Sequence, residues 1–259
     1  MKKATLIFVW IGKYLPSFAI ESLLFAKQNN SSRDVLICLS RKPSSIICKR
    51  LEKEGIKVFI VDNEKNKLHL DLNIIKLFSS DFWINTSLRF VYLDYLIKHL
   101  KINEFFHAEL DNAVFKLDGL EKKLDQFGDG LFVPRDAKNR AIASLFYCNR
   151  TQSLSELILL YSKTKPPKND MDALVIYSCD YPEHFFSLPT ESYLMNKKYW
   201  NLIDPKNCDG LFDAAAIGQY MLGVDPIHRK GKPSYNLFVN ENSKINWNRV
   251  IFATDEQKI

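Results

Sequence analysis

Short apolar runs alternate with stretches of helical spacing through the first half of the chain. That alternation predicts a single-domain α/β fold, Rossmann-like, on a mostly parallel sheet with helices on both faces. Residues 5–11 form a continuous apolar, β-rich run, the pattern of a strand buried on both sides. A helix is expected after Pro16, with Phe18, Leu23, Leu24 and Ala26 on its apolar side and an end at Asn29 and Asn30. Residues 34–39 predict a second strand. Pro43 then opens a helix, a position that suits a residue with no amide hydrogen, and Gly55 closes it. Residues 56–61 predict a third strand, stopped by Asp62 and Asn63.

A longer helix is expected over residues 86–100, where Leu88, Val91, Tyr95 and Leu96 recur at the spacing of a core-facing stripe. Residues 104–109 then predict a strand that runs into Leu110, Asp111 and Asn112. The second half is less regular. Residues 131–134 and 141–147 read as strands, 154–161, 170–178 and 213–221 as helices, and 163–168 as a loop. The composition does not change along the chain, and no repeat or low-complexity tract interrupts it.

A chain of 259 residues with 46% hydrophobic and 25% charged residues has material for one good core. Lys and Arg total 36 against 30 Asp and Glu, a formal charge of +6. This excess favours an anionic substrate or an anionic membrane surface. The basic residues are scattered among acidic ones, so nucleic acid is not an expected partner. The five cysteines follow neither a CxxC nor another zinc spacing and read as free thiols of a reducing compartment. Lys2 and Lys3 before an apolar run resemble the start of a signal peptide, but Lys13 interrupts the run and no small-residue cleavage site follows. Elsewhere no stretch approaches the ~18 apolar residues of a spanning helix. The expectation is a cytoplasmic protein, with peripheral contact at a membrane left open.

The segment around residues 105–115 carries the most specific chemistry. Side chains alternate across a strand, so Glu109 and Asp111 point to one side and Leu110 to the other. In an open α/β sheet, ligands bind beyond the carboxyl ends of the strands, where this pair is expected. Carboxylate oxygens suit hard divalent ions such as Mn²⁺ or Mg²⁺, which can bridge two phosphates and neutralise a departing diphosphate. His107 and Asn112 add polar groups nearby. The competing reading is a polar strand end with Asn112 as the turn residue.

With Glu109-Leu110-Asp111 preceded by the Phe82-Trp-Ile-Asn-Thr-Ser-Leu-Arg-Phe90 helix, the chain resembles the nucleotide-diphosphosugar glycosyltransferases of the type-A fold. The segment from Phe212 through Tyr220 is similar to one in uncharacterised bacterial members. The resemblance implies a donor-binding half over residues 1–116 and an acceptor-side half of the same domain over residues 117–259. It implies a metal-assisted glycosyltransferase, hexosyltransferase-like, that moves a sugar from a nucleotide-sugar donor, a UDP-sugar first, to a glycan or lipid-linked acceptor, as in polysaccharide biosynthesis. Glu109 then contacts the donor or its metal through water, Asp111 ligates the metal, and Arg89 faces the diphosphate.

A helix starting at Asn85 or Thr86 puts Arg89 in its first turn. A cation there opposes the macrodipole by ~0.3–1 kcal/mol unless a diphosphate lies in front. Trp10, Gly12 and Tyr14, in the loop after the first strand, are expected to approach the nucleotide, with Tyr14 stacking on the base. Type-A enzymes often take a further ligand, commonly histidine, from near the C-terminus. His228 is the candidate here, unless a water serves or the natural protein continues past residue 259. Arg229, Lys230 and Lys232 are expected to close over the diphosphate. Asp213 is either a helix N-cap or the base that deprotonates the acceptor, with Gln219 and Tyr220 facing the sugar or acceptor. Two alternatives stay open: a sugar-phosphate nucleotidyltransferase, and a catalytically degenerate binding module of the same fold.

Overall fold

The computed structural model describes residues 3–61, 77, 81–190, 201–208 and 210–212. Strands β1 (Thr5–Trp10), β2 (Val35–Leu39), β3 (Ile56–Ile60) and β4 (Phe105–Ala108) form a parallel block in the order β3-β2-β1-β4. Beyond β4 the sheet turns antiparallel through β7 (Leu145–Cys148) and β5 (Leu131–Ala137). The short β6 (Arg140–Ala141) pairs antiparallel with the far end of β5, and β8 (Phe185–Leu188) runs parallel along it.

Alternation along each strand sorts the core into two layers. Leu6 and Phe8 of β1 with Val35 and Ile37 of β2 meet Ala19 and Leu23 of helix α1 (Ser17–Asn29) and Leu51 of α2 (Ser45–Lys53). Ile7 and Val9 with Leu36 and Phe105 meet the opposite layer. That layer is built from α3 (Asp81–Leu100), α5 (Gln152–Leu159) and α6 (Asp170–Asp180). Two short helices, α4 (Leu120–Leu124) and α7 (Pro205–Cys208), complete the described elements. Both faces of the sheet are therefore covered, as the uninterrupted apolar strands require. Each fully buried Leu or Phe contributes about 1.5–3 kcal/mol to this arrangement.

Several boundaries differ from expectation for local reasons. Helix α2 is capped by Ser44, whose hydroxyl accepts from Ile47 N at 3.4 Å, so Pro43 precedes the helix instead of opening it. Gly55 does end that region, with φ +74°. The expected strand over residues 141–147 is two strands, because the chain turns between them and exchanges β5 for β4 and β5 as partners. Helix α3 begins at Asp81, five residues before the expected start, which moves Arg89 into its interior. The expected helix over residues 213–221 lies outside the described residues. Among the described residues, no helix is long and apolar enough to cross a membrane.

Candidate functional site

The parallel block fixes where a ligand can enter. From β1 the chain crosses by α1 and α2 to β2 and β3 on one face, then returns by α3 on the other face to β4. Strands β1 and β4 are neighbours whose connections leave in opposite directions, which opens a crevice at their carboxyl ends. A cavity of about 280 Å³ occupies that position. Val9, Trp10 and Ile11 line it from β1, Phe18 from α1, and Phe82, Asn85, Thr86 and Arg89 from α3; Glu109, Leu110 and Asp111 complete it beyond β4.

The ladder ends at Ala108, yet Glu109 stays anchored, its N–H donating to Ser144 O at 2.9 Å. Asn112 N donates to Glu109 O at 3.1 Å and closes a turn over Leu110 and Asp111. Glu109 continues the strand's alternation towards α3, and Leu110 enters the opposite core. Asp111 is exposed on the turn. The expected convergence of both carboxylates and the competing turn reading therefore describe the same residues: a turn carries the pair to one cavity. Asn112 does not line it: its side-chain amide donates to Ser144 O at 2.6 Å, and its main-chain carbonyl accepts from Ser22 Oγ at 3.2 Å.

Arg89 is only 6% exposed although it reaches the cavity wall. Its Nη1 hydrogen-bonds Glu109 Oε1, and its Nη2 donates to Asp170 Oδ2 at 2.7 Å. Asp170, 5% exposed, is the first residue of α6. Burial opposes the charge on Arg89, but the attraction of Glu109 and Asp170 more than offsets it and raises its pKa. Burial pushes the Asp170 carboxyl above its ordinary range, against the pull of Arg89. Since Arg89 sits inside α3, the argument from a cation in a helix's first turn does not apply. Its hydrogen-bonding ends face carboxylates, where a diphosphate was expected.

His107 lies one pleat behind Glu109 and is fully buried. Its Nδ1 pairs with Ile7 O at 2.9 Å. Burial, then the charge of Arg89, hold its pKa well below 6.5, so it is a neutral core residue outside the cavity lining. The loop after β1 is organised by Trp10, whose Nε1 donates to Tyr14 O at 2.8 Å. A Cβ on Gly12 would stand 3.0 Å from that Nε1, so glycine here admits the indole. Gly12 is outside the cavity lining, as is Tyr14, which is 73% exposed with Lys13 Nζ 5.1 Å above its ring.

No family model and no curated protein matches the chain. Solved structures do. It is similar to the PaToxG glycosyltransferase at 12% identity, with 70% of this chain and 69% of that one covered and a TM-score of 0.49. It is similar to the galactosyltransferase LgtC, solved with donor and acceptor sugar analogues, at 13% identity, 82% and 85% coverage and a TM-score of 0.48. A cytidylyltransferase from Leptospira borgpetersenii is also similar, at 16% identity, 74% and 77% coverage and a TM-score of 0.41. The likeness is one of α/β fold, shared by glycosyltransferase and cytidylyltransferase structures alike. With every one of these TM-scores below 0.5, the functional argument stands on the chain's own geometry.

The structure thus gathers Trp10, Arg89, Glu109 and Asp111 at one cavity and leaves Gly12, Tyr14 and Asn112 outside its lining. Asp213, Gln219, Tyr220, His228, Arg229, Lys230 and Lys232 lie outside the described residues. Among the described residues, no three His, Cys, Asp or Glu side chains converge as a metal group. The sequence reading missed Asp170, because no local pattern ties it to a partner 81 residues away. Phe18, expected on the apolar side of the first helix, is 51% exposed and borders the cavity instead of filling the core, as does Phe82 at 47%, to which the sequence reading gave no role.

Proposed function

We propose that this chain is a glycosyltransferase that holds a nucleoside diphosphate sugar in the cavity between β1 and β4. The sugar passes to a hydroxyl of a glycan or lipid-linked acceptor, and a UDP-sugar is the first donor to test. The observation that carries this reading is an acidic pair of unequal environment at the switch point, with Asp111 exposed on the turn and Glu109 tied to a buried arginine.

That arrangement suits two tasks. An exposed carboxylate on a short turn fits Mn²⁺ or Mg²⁺, since a Mg²⁺ site commonly uses one or two carboxylates together with phosphate oxygens and water. Asp111 would hold the ion, with Glu109 acting on it or on the donor through water. When bound, the ion supplies charge neutralisation on the departing diphosphate. Arg89 fixes the Glu109 carboxylate at the cavity wall, its own charge being taken up by Glu109 and Asp170. Asn85 and Thr86 offer further polar groups on the α3 wall. Asp213 remains the proposed base, and Gln219 and Tyr220 the proposed acceptor contacts. His228 is a proposed further ligand, and Arg229, Lys230 and Lys232 are proposed to close on the donor. The five free thiols accord with the reading of a cytoplasmic enzyme, and peripheral contact with a membrane is proposed with it.

A product assay decides between chemistries. Incubation with nucleotide sugars, Mn²⁺ and acceptor sugars is expected to release nucleoside diphosphate. Pyrophosphate released from a nucleoside triphosphate and a sugar phosphate would assign nucleotidyl transfer instead. Donor binding without either product would assign a binding module.

A further inference from the structure

We infer that Asp170 is a positioning residue of this cavity: it grips the outer end of the Arg89 guanidinium so that the other end fixes the Glu109 carboxylate. The functional part of this inference rests on the donor-site reading above; the positioning part rests on geometry alone.

The main-chain N–H groups of Asp170 and Met171 at the start of α6 act on the Asp170 carboxylate, but less than burial, Arg89 and Glu109 do, so they do not account for its position. Helix α6 is already capped by Asn169, whose side chain accepts from Asp172 N at 2.8 Å. Asp172, in the same first turn, is half-buried and accepts from Lys168 N at 2.8 Å. An acid that only complements the helix dipole does so from such a position. Asp170 is instead buried, 81 residues from the arginine it meets.

Nor is Asp170 needed to neutralise Arg89, which already pairs with Glu109. Adding Asp170 puts two carboxylates on one buried guanidinium, and its Oδ1 has no hydrogen-bond partner. Surplus buried charge costs stability, and such departures from local rules concentrate at functional sites. What it supplies is direction. The guanidinium is a rigid planar fork, and carboxylates at Nη1 and Nη2 prevent it from rotating. Ala173 and Leu174 of α6 sit in the same core layer as Leu88 and Val91 of α3, which sets Asp170 against Arg89. The second half of the chain thereby governs a carboxylate at the end of β4.

The test combines NMR of the arginine-labelled protein with donor titration. In the parent, the Arg89 Nη protons should be distinct and slowly exchanging, as for a guanidinium held at both ends. Free rotation in the parent overturns the inference without any variant. Asp170→Asn should average these signals and weaken Mn²⁺-dependent UDP-sugar binding or turnover by about tenfold to a hundredfold, the usual cost of losing an outer partner. Asp172→Asn, on the same helix, should change neither readout. If Asp170→Asn lowers only the melting temperature, with guanidinium signals and donor affinity as in the parent, the residue is structural and the inference fails. If the parent binds no nucleotide sugar, the donor reading fails, and the NMR comparison still decides whether Asp170 positions Arg89.

Discussion

Arg33 and Arg89 are buried at opposite edges of the same sheet, and their partners differ in kind. Arg33, just before β2, lies at the amino edge. Its Nη1 bonds the Ala4 carbonyl, and its Nη2 reaches Leu117 O at 3.1 Å and the two oxygens of Glu121 at 2.9 and 3.1 Å. Arg89, at the carboxyl edge, is divided between Glu109 and Asp170 and borders a cavity. The first arginine has one carboxylate and two carbonyls and closes a seam between the strands and the 117–121 segment. The second is shared between two carboxylates, a poorer arrangement for stability and a better one for aiming a charge. Burial alone does not distinguish these two arginines; the charge count and the neighbouring space do.

The comparison breaks most visibly at Arg33. Arg33→Ala leaves Glu121 buried without its partner and is expected to cost about 3–5 kcal/mol in urea unfolding. Donor affinity of the folded protein should be unchanged. A loss of donor binding in fully folded Arg33→Ala would mean that the amino edge is not merely structural.

Asp111→Asn is the opposite case. An amide cannot supply the charge a divalent ion requires, so metal-dependent donor binding should weaken about a hundredfold, or about 2.7 kcal/mol. Because Asp111 is exposed, stability should stay within about 0.5 kcal/mol of the parent. Parent-like donor affinity in this variant would remove Asp111 from the site.

His107 sharpens the electrostatic side of the comparison. Its pKa in the folded chain is depressed, so below about 6.5 the unfolded chain takes up a proton that the folded chain does not. Stability is then present above that pH and falls as the solution is acidified, by at most about 1.4 kcal/mol per pH unit for one proton. His107→Gln should flatten that part of a pH series of urea midpoints. An unchanged slope would assign the acid sensitivity to other groups.

The smallest effect is expected at the loop after β1. Trp10→Phe removes the indole bond to Tyr14 O and should cost about 0.5–1.5 kcal/mol in thermal or urea unfolding. No change would show that the loop is held by its neighbours, such as Ser40, whose hydroxyl accepts from Gly12 N at 3.1 Å.

The parallel block was legible in the sequence because β1 and β2 are buried apolar runs and β3 a largely apolar one, with Pro16, Pro43 and Gly55 each close to an element boundary. The acidic pair was legible because Glu109 and Asp111 end such a run. Arg89 was singled out by the resemblance and by a first-turn argument; the second does not hold, because the helix starts at Asp81, in a Ser-Ser-Asp stretch whose start signal was passed over. The β5–β8 region was read only in part, because a continuous apolar stretch over residues 141–147 does not reveal where the chain changes pairing partner. Asp170 could not be read at all. Its partner is set by how α6 lies against α3, and no spacing within either helix encodes that contact.

Above all, the cavity between β1 and β4 is proposed to take a nucleoside diphosphate sugar together with a divalent ion. Calorimetric titration of the parent protein with a panel of nucleotide sugars, in Mn²⁺ and then in excess chelator, tests it most directly. The predicted result is saturable binding of one nucleotide class in Mn²⁺, lost in chelator. Equal affinity in chelator would contradict the metal assignment, and no binding of any nucleotide sugar in Mn²⁺ would contradict the function.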